Sequence, residues 1–386
     1  MRFGLLTYHH VVNIGSVLQT WAAVKFLEHQ FPNAVVEIID YVPEISKHYN
    51  QTLIWPQGRK LPVVQAYLRQ QAFHKFLRKH CRFTSPLSCD SLEEGIDTIA
   101  SFHFDAVFVG SDTVFQLDGY FGHCIAGPKP PNLYFLPGDI GCPKFALAAS
   151  CDPLTVNPTS LNLSDNGLEA LQDFSAIGYR DTNTKKLLQH VAIPEGRIGF
   201  LPDPTILSCH GITETYGVPY PIEETNLVGV YIGNPAATSR TIAQLNASGY
   251  ETIDLLRNTF WPSFADPIAA YIQPFAKLKG LVTDRFHGTI ISQLVGNYPV
   301  LGLEDVGRYP HGGKLADLYQ RLGIQDALLR VELGRLDTEH VVRELTGLFE
   351  HTADKPLAKD KIHKMSVQGE QTFVKMCAPT LRQLSR

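Results

Sequence analysis

Leu281-Val282-Thr283-Asp284-Arg285-Phe286-His287-Gly288-Thr289, continued by Ile290-Ile291-Ser292-Gln293-Leu294, is the stretch on which the fold turns. A short apolar run ends in a cluster of polar and ionisable side chains, and an amphipathic segment follows. That order reads as a strand end, a tight turn and a helix start. Gly288 supplies backbone freedom for the turn, and Thr289 suits the first helical turn. Open α/β sheets bind ligands beyond the carboxyl ends of their strands, and helix N-termini attract anions. Arg285 and His287 therefore stand where an anionic substrate can be held and protonated. The same residues fit a purely structural account, with Arg285 paired to Asp284 and His287 capping the helix. One turn alone does not decide between the two.

Working outward, the same punctuation repeats. Residues 3–7 read as a strand, 8–14 as a loop, and from Gly15 a helical pattern runs through Val17, Leu18, Trp21, Ala22, Val24 and Phe26. A second strand over 35–39 ends in Asp40-Tyr41. This strand-loop-helix-strand opening predicts a doubly wound sheet. The loop carries Asn13, Gly15 and Ser16 at the helix entry but is neither a Walker A nor a Gly-x-Gly-x-x-Gly sequence, so a nucleotide site is weakly supported. The strand at 104–109 ends in Gly110-Ser111-Asp112, where Ser111 and Asp112 can bond sugar hydroxyls or simply cap a helix start. A Gly- and Pro-rich loop covers 119–143. Further strands at 144–149, 176–179 and 199–201 end in Ser150-Cys151-Asp152, Arg180-Asp181 and Pro202-Asp203-Pro204-Thr205. After an aperiodic stretch a second α/β series begins at 227–232. It continues with strands at 251–255, 280–283 and 299–303 and a helix over 315–322 after Gly312-Gly313-Lys314. The expected organisation is two Rossmann-like domains, over 1–207 and 226–350, facing a cleft. A linker covers 208–225 and a helical tail 351–386.

Composition sets outer limits. A length of 386 residues predicts two domains rather than one; 44% hydrophobic and 19% charged residues suit a soluble globular chain with ample core. A formal net charge of −4 gives no basic field for nucleic acid. Seven cysteines, an odd number with no Cys-x-x-Cys pair, argue against a disulfide framework and for reduced thiols in a cytoplasm. Residues 1–7 read as a strand rather than a signal sequence, and no run approaches the length of a membrane helix. The segment 61–82 reads as a helix carrying Arg69, Lys75, Arg78, Lys79 and Arg82. It is compatible with peripheral docking to an anionic membrane or acidic glycan, although short charge runs usually just face water. No metal is expected. His9-His10 and the scattered carboxylates show no ligand spacing and read as surface groups.

Taken in order, these pieces resemble the polysaccharide pyruvyl transferase family. They are Thr7-Tyr8, Asn13-x-Gly15-Ser16-x-Leu18-Gln19, Ile38-Ile39-Asp40-Tyr41, Val109-Gly110-Ser111-Asp112, Ala148-Ala149-Ser150, Tyr179-Arg180-Asp181, Asp203-Pro204-Thr205 and the opening stretch. Phe73-x-x-Phe76 with Thr84-Ser85 is similar to the family's segment before its third strand. The resemblance implies an α/β fold of two Rossmann-like domains in a GT-B-like arrangement, and phosphoenolpyruvate as donor with no further cofactor. It implies a pyruvate ketal on two hydroxyls of a saccharide or lipid-linked saccharide acceptor, made at the cytoplasmic side of a cell envelope. It maps the essential histidine onto His287 and the donor-binding arginines onto Arg285 and Arg180. Asp284 is then expected to orient His287, and Gly288, Thr289 and Lys314 to help hold the donor. Asn13, Ser16, Gln19, Ser111 and Asp112 fall to the acceptor. Three positions depart from the family pattern: Phe115 where a tryptophan is common, Ala149-Ser150-Cys151-Asp152, and Gly178-Tyr179-Arg180. They bear on the acceptor pocket more than on donor chemistry. Two other functions share the architecture: a glycosyltransferase using a nucleotide sugar, and a non-catalytic glycan-binding protein.

Overall fold

The computed structural model describes residues 1–47, 61–117, 120–121, 124–125, 128–153, 163, 167–217, 225–258, 264–296, 298–351 and 358–384. The chain forms two compact units, one of residues 1–208 with 365–386 and one of residues 209–364.

The strands of the first unit are β1 (Arg2–Leu6), β2 (Val35–Ile38), β3 (Arg82–Phe83), β4 (Ala106–Val109), β5 (Tyr120–Phe121), β6 (Cys124–Ile125), β7 (Lys144–Ala149), β8 (Ala176–Tyr179) and β9 (Ile198–Phe200). β5 and β6 form a two-stranded antiparallel pair. The other seven make one parallel sheet in the order β3-β2-β1-β4-β7-β8-β9. Every residue of β4, β7 and β8 is buried, as a parallel sheet covered on both faces requires; such strands read as continuous apolar runs. The order reverses beside β1, which pairs with β2 on one side (Leu5 opposite Ile38) and β4 on the other (Leu6 opposite Val109). Such a reversal leaves a crevice beyond the carboxyl ends of the two inner strands.

Helix α1 (Ile14–Gln30) is buried along most of its length, so it lacks the one-sided apolar stripe of a surface helix. Part of its cover comes from the other end of the chain. The last helix, expected as a separate tail, crosses from the second unit to the first. Its Phe373 ring lies 4.9 Å from Phe26 and 6.1 Å from both Phe31 and Phe108. Helix α2 (Leu61–His80) carries Arg69, Lys75, Arg78 and Lys79 of the basic residues noted above; it ends before Arg82, which lies on β3 instead. Arg78 pairs with Asp40 and stacks 4.1 Å from the Phe83 ring, and Arg69 lies 5.7 Å from the Phe73 ring. These two cations have partners within the fold.

Among the described residues the second unit has five strands, β10 (Leu227–Tyr231), β11 (Glu251–Asp254), β12 (Gly280–Thr283), β13 (Val300–Asp305) and β14 (Leu328–Val331), all parallel in the order β11-β10-β12-β13-β14. Here the order reverses between β10 and β12. The short strands β3 and β14 were not expected from the sequence. Nor was helix α3 (Cys209–Tyr216), which occupies part of the stretch read as a linker and buries Cys209 and Ile212; residues 218–224 of that stretch lie outside the described ones. No helix among the described residues is long and apolar enough to cross a membrane.

Candidate functional site

In the second unit the switch between β10 and β12 is closed by the opening stretch itself. Thr283 Oγ1 donates to the Tyr231 carbonyl at 2.9 Å and accepts from the Arg285 amide at 3.0 Å, which ties the two strand ends together and sets the turn. The Asp284 carboxylate accepts from the Gly233 amide, 3.0 Å to each oxygen, and pairs with Arg285 Nε at 3.0 Å. A Cβ at position 233 would run into Arg285 Nη2, so the guanidinium occupies the space a side chain there would take. Burial pushes the Asp284 carboxyl above the usual carboxylate range, against the opposing pull of Arg285 and the Gly233 N–H. Arg285 keeps 43% of its side chain exposed, so an anion in solution can reach it.

Arg285 is the N-cap of helix α4 (Phe286–Val295), and its own side chain makes no capping hydrogen bond. His287 is the second helical residue, its ring edge-on to Phe286 at 5.5 Å. Lys314, first residue of helix α5 (Lys314–Leu322), brings Nζ to 5.8 Å from the same Phe286 ring. The helix thus begins before Gly288, and the role read for that glycine changes. It is an ordinary helical residue, and its reason is close approach: a Cβ would lie 2.8 Å from Tyr231 Cδ1 and 3.1 Å from Thr283 Oγ1. Thr289 is wholly buried, its hydroxyl 3.4 Å from both the Arg285 carbonyl and Tyr319 Oη.

Glu304 was not singled out from the sequence. From the end of β13 it accepts the Gly313 and Ala316 amides at 3.0 Å each and fixes the start of the helix that carries Lys314. Its signal was a carboxylate at a strand end shortly before Gly312-Gly313-Lys314.

The first unit gathers four of the other expected residues into one buried network. Ser16 Oγ donates to Asp112 Oδ2 at 3.1 Å, and Asp112 Oδ1 lies 3.6 Å from Arg180 Nη2. Arg180 Nη1 donates to Asp203 Oδ2 at 2.7 Å and to Gln19 Oε1 at 3.5 Å. Arg180 is only 3% exposed. Burial alone would lower its guanidinium, but the Asp203, Asp112 and Asp181 carboxylates outweigh it and hold the charge. Asn13 caps α1, accepting from the Gly15 amide at 3.0 Å, and Ser111 is buried at the end of β4. At Gly110, φ is +119° and a Cβ would strike the Leu147 carbonyl, so this strand end needs glycine.

His9 and His10, read from the sequence as surface groups, are buried, because they follow β1 into the covered end of the sheet. His9 Nε2 meets Asp40 Oδ1 at 3.1 Å, and the other Asp40 oxygen meets Arg78. Burial alone would raise Asp40, but His9 and Arg78 together hold it below the usual carboxylate range.

A model of the polysaccharide pyruvyl transferase family matches residues 13–296. No curated protein sequence matches the chain. Among solved structures, UDP-GlcNAc 2-epimerase from Neisseria meningitidis bound to UDP-GlcNAc aligns with a TM-score of 0.51 at 12% identity, over 97% of this chain and 100% of that one. UDP-N-acetylglucosamine 2-epimerase from Rickettsia bellii gives 0.51 at 8% identity, over 100% and 98%. Medicago truncatula UGT71G1 complexed with UDP-glucose gives 0.48 at 12%, over 100% and 97%. At these identities the epimerase likeness concerns the fold alone: two Rossmann-like halves, each built on a parallel sheet.

Proposed function

The chain belongs to the polysaccharide pyruvyl transferase family, and from that premise we propose that it transfers pyruvate from phosphoenolpyruvate to two hydroxyls of a saccharide, forming a ketal and releasing phosphate. The observation that carries this reading is the turn after β12. A half-exposed arginine braced by a largely buried carboxylate stands two residues before a histidine in the first turn of a helix.

Phosphoenolpyruvate brings a carboxylate and a phosphate, both suited to a planar guanidinium and to a helix N-terminus. In this reading Arg285 and the amides of the first turn up to Gly288 hold the donor, and Lys314 meets its phosphate; Thr289, expected beside them, is buried with its amide donating to the Arg285 carbonyl at 3.1 Å, and supports the turn from behind. His287 gives a proton to the methylene carbon, and positive charge develops at the central carbon. One sugar hydroxyl bonds there and yields its proton to the imidazole. The second hydroxyl then bonds to the same carbon as the C–O bond to phosphate breaks; phosphate leaves with the electron pair and takes up the second hydroxyl's proton, while the imidazole is left protonated as it began. One histidine can serve both proton steps. Asp284 keeps Arg285 in place and balances charge beside His287.

On the acceptor side we place Asn13, Ser16, Gln19, Ser111 and Asp112. Arg180 fits a positioning role better than a direct hold on the donor, since the carboxylates of Asp112 and Asp203 already enclose it. The acceptor is a saccharide, free or lipid-linked, and the reaction belongs at a cytoplasmic membrane face.

The test is incubation with phosphoenolpyruvate and a panel of envelope glycans, following phosphate release and a new ketal methyl signal by NMR. Glycan-dependent release with the methyl signal is the expected result, and His287→Ala should lower the rate about 10²–10⁴-fold with the fold retained. Near-native turnover by that variant would remove His287 from the mechanism. Sugar transfer from a nucleotide sugar, without any ketal, would overturn the reading as a whole.

A further inference from the structure

We propose that Cys209, His210 and His363 form a zinc-binding site in the second unit, with chemistry distinct from anything the pyruvyl-transfer reading uses. Cys209 and His210 open α3, and His363 lies in the second turn of helix α6 (Ala358–Leu384). One donor atom from each residue lies within 4.8 Å of the other two. Cys209 Sγ is 3.4 Å from His363 Nδ1, and the His210 and His363 rings are 4.6 Å apart and tilted by 35°.

Geometry and donor type agree. A sulfur about 2.3 Å and a nitrogen about 2.0–2.1 Å from one tetrahedral zinc stand about 3.6 Å apart. The observed sulfur–nitrogen separation already fits, so one imidazole rotation brings the remaining donor into place. His210 is exposed and can make it. One thiolate with two imidazoles suits borderline-soft zinc rather than magnesium or calcium, which take oxygen, and it leaves a fourth position for water. Binding would release the Cys209 thiol proton to solvent as the sulfur–metal bond forms. A plain thiol–imidazole hydrogen bond accounts for Cys209 and His363 alone. It gives no reason for a third metal-binding side chain at the same point. The sequence conceals the site, because two ligands are adjacent and the third lies far along the chain, outside any familiar ligand spacing. A bound ion would link the chain's entry into the second unit to its exit, and thereby stabilise that unit.

The full-length protein, stripped with chelator and kept reduced, would be titrated with cobalt(II) as a spectroscopic stand-in and then with zinc. The expected result is saturation at one equivalent, a thiolate-to-cobalt charge-transfer band with tetrahedral visible bands, displacement by zinc, and a higher melting temperature. Cys209→Ser should abolish the charge-transfer band. His210→Ala, at an exposed position the fold tolerates, should weaken binding by at least about tenfold, since even partners one layer outside the ligands cost 10–100-fold. Cys89→Ser should change nothing. Absence of stoichiometric binding, or equal binding by Cys209→Ser and His210→Ala, would leave only a hydrogen-bonded pair and overturn the proposal. Neither result depends on whether the protein forms pyruvate ketals.

Discussion

Arg285 has the setting that the proposed donor clamp requires: Asp284 pairs with its Nε, while nearly half of the side chain meets solvent. A lysine cannot reproduce the planar fork, so Arg285→Lys should raise the KM for phosphoenolpyruvate by at least about tenfold with little change in melting temperature. Gly233→Ala should do the same from behind, because its methyl would displace the guanidinium. An unchanged KM in both variants would dismiss Arg285 as the donor clamp. Arg180 should behave differently. Its replacement by alanine strands the buried carboxylates of Asp112 and Asp203, at a cost of about 3–5 kcal/mol in urea unfolding, and breakage of the fold rather than selective loss of donor affinity is expected. Two aspartates give opposite pH signatures. Asp284 is raised by burial, so the native state binds the extra proton, and its contribution to stability falls as pH rises between the ordinary carboxylate value and the raised one. Asp40 is lowered by His9 and Arg78 against its burial. Its contribution is full above the ordinary value and is lost as pH falls through the lowered one. Urea midpoints between about pH 3 and 7 check both signs: Asp284→Asn should remove the first trend and Asp40→Asn the second.

At the scale of elements, the recurring unit is a parallel strand that ends in a polar side chain which then organises the next helix. Asn13 caps α1, Asp181 caps the helix Thr182–His190 through the Thr184 amide at 2.8 Å, and Asp203 accepts the Thr205 amide at 3.0 Å. These caps also join neighbouring strands, as where Ser150 Oγ donates to Asp181 Oδ2 at 2.6 Å. Asn13→Ala should cost about 1 kcal/mol by urea unfolding, since one amide at the helix start loses its acceptor. Such ends were legible in the sequence, because an apolar run followed by Asp, Ser or Asn has a local physical cause. The reason for Gly288 was not. Its requirement comes from Tyr231, on another strand, and the residue itself is plain helix. Strands β3 and β14 are illegible for a related cause: neither is fully buried and each includes an exposed arginine, so they show neither a continuous apolar run nor a clean alternation.

For the molecule as a whole, the C-terminal helix is the element that sequence position describes least well. Phe373 is fully buried among aromatic side chains of the first unit, so Phe373→Ala should destabilise that unit by about 3–5 kcal/mol, measurable as a lowered melting temperature. A near-neutral effect would show that residues 365–386 add little to it. The sequence by itself determined the α/β class, the two strand–helix series, the family and the residues at the strand ends, because each rests on short-range pattern or on the order of motifs. The tertiary structure decided what those residues touch. It set Arg180 between Asp112 and Asp203, braced Arg285 through Asp284 against Gly233, carried the last helix back to the first unit, and brought His363 to Cys209. Those contacts join residues distant along the chain, and only the packing that buries the apolar faces of both sheets fixes which of them meet.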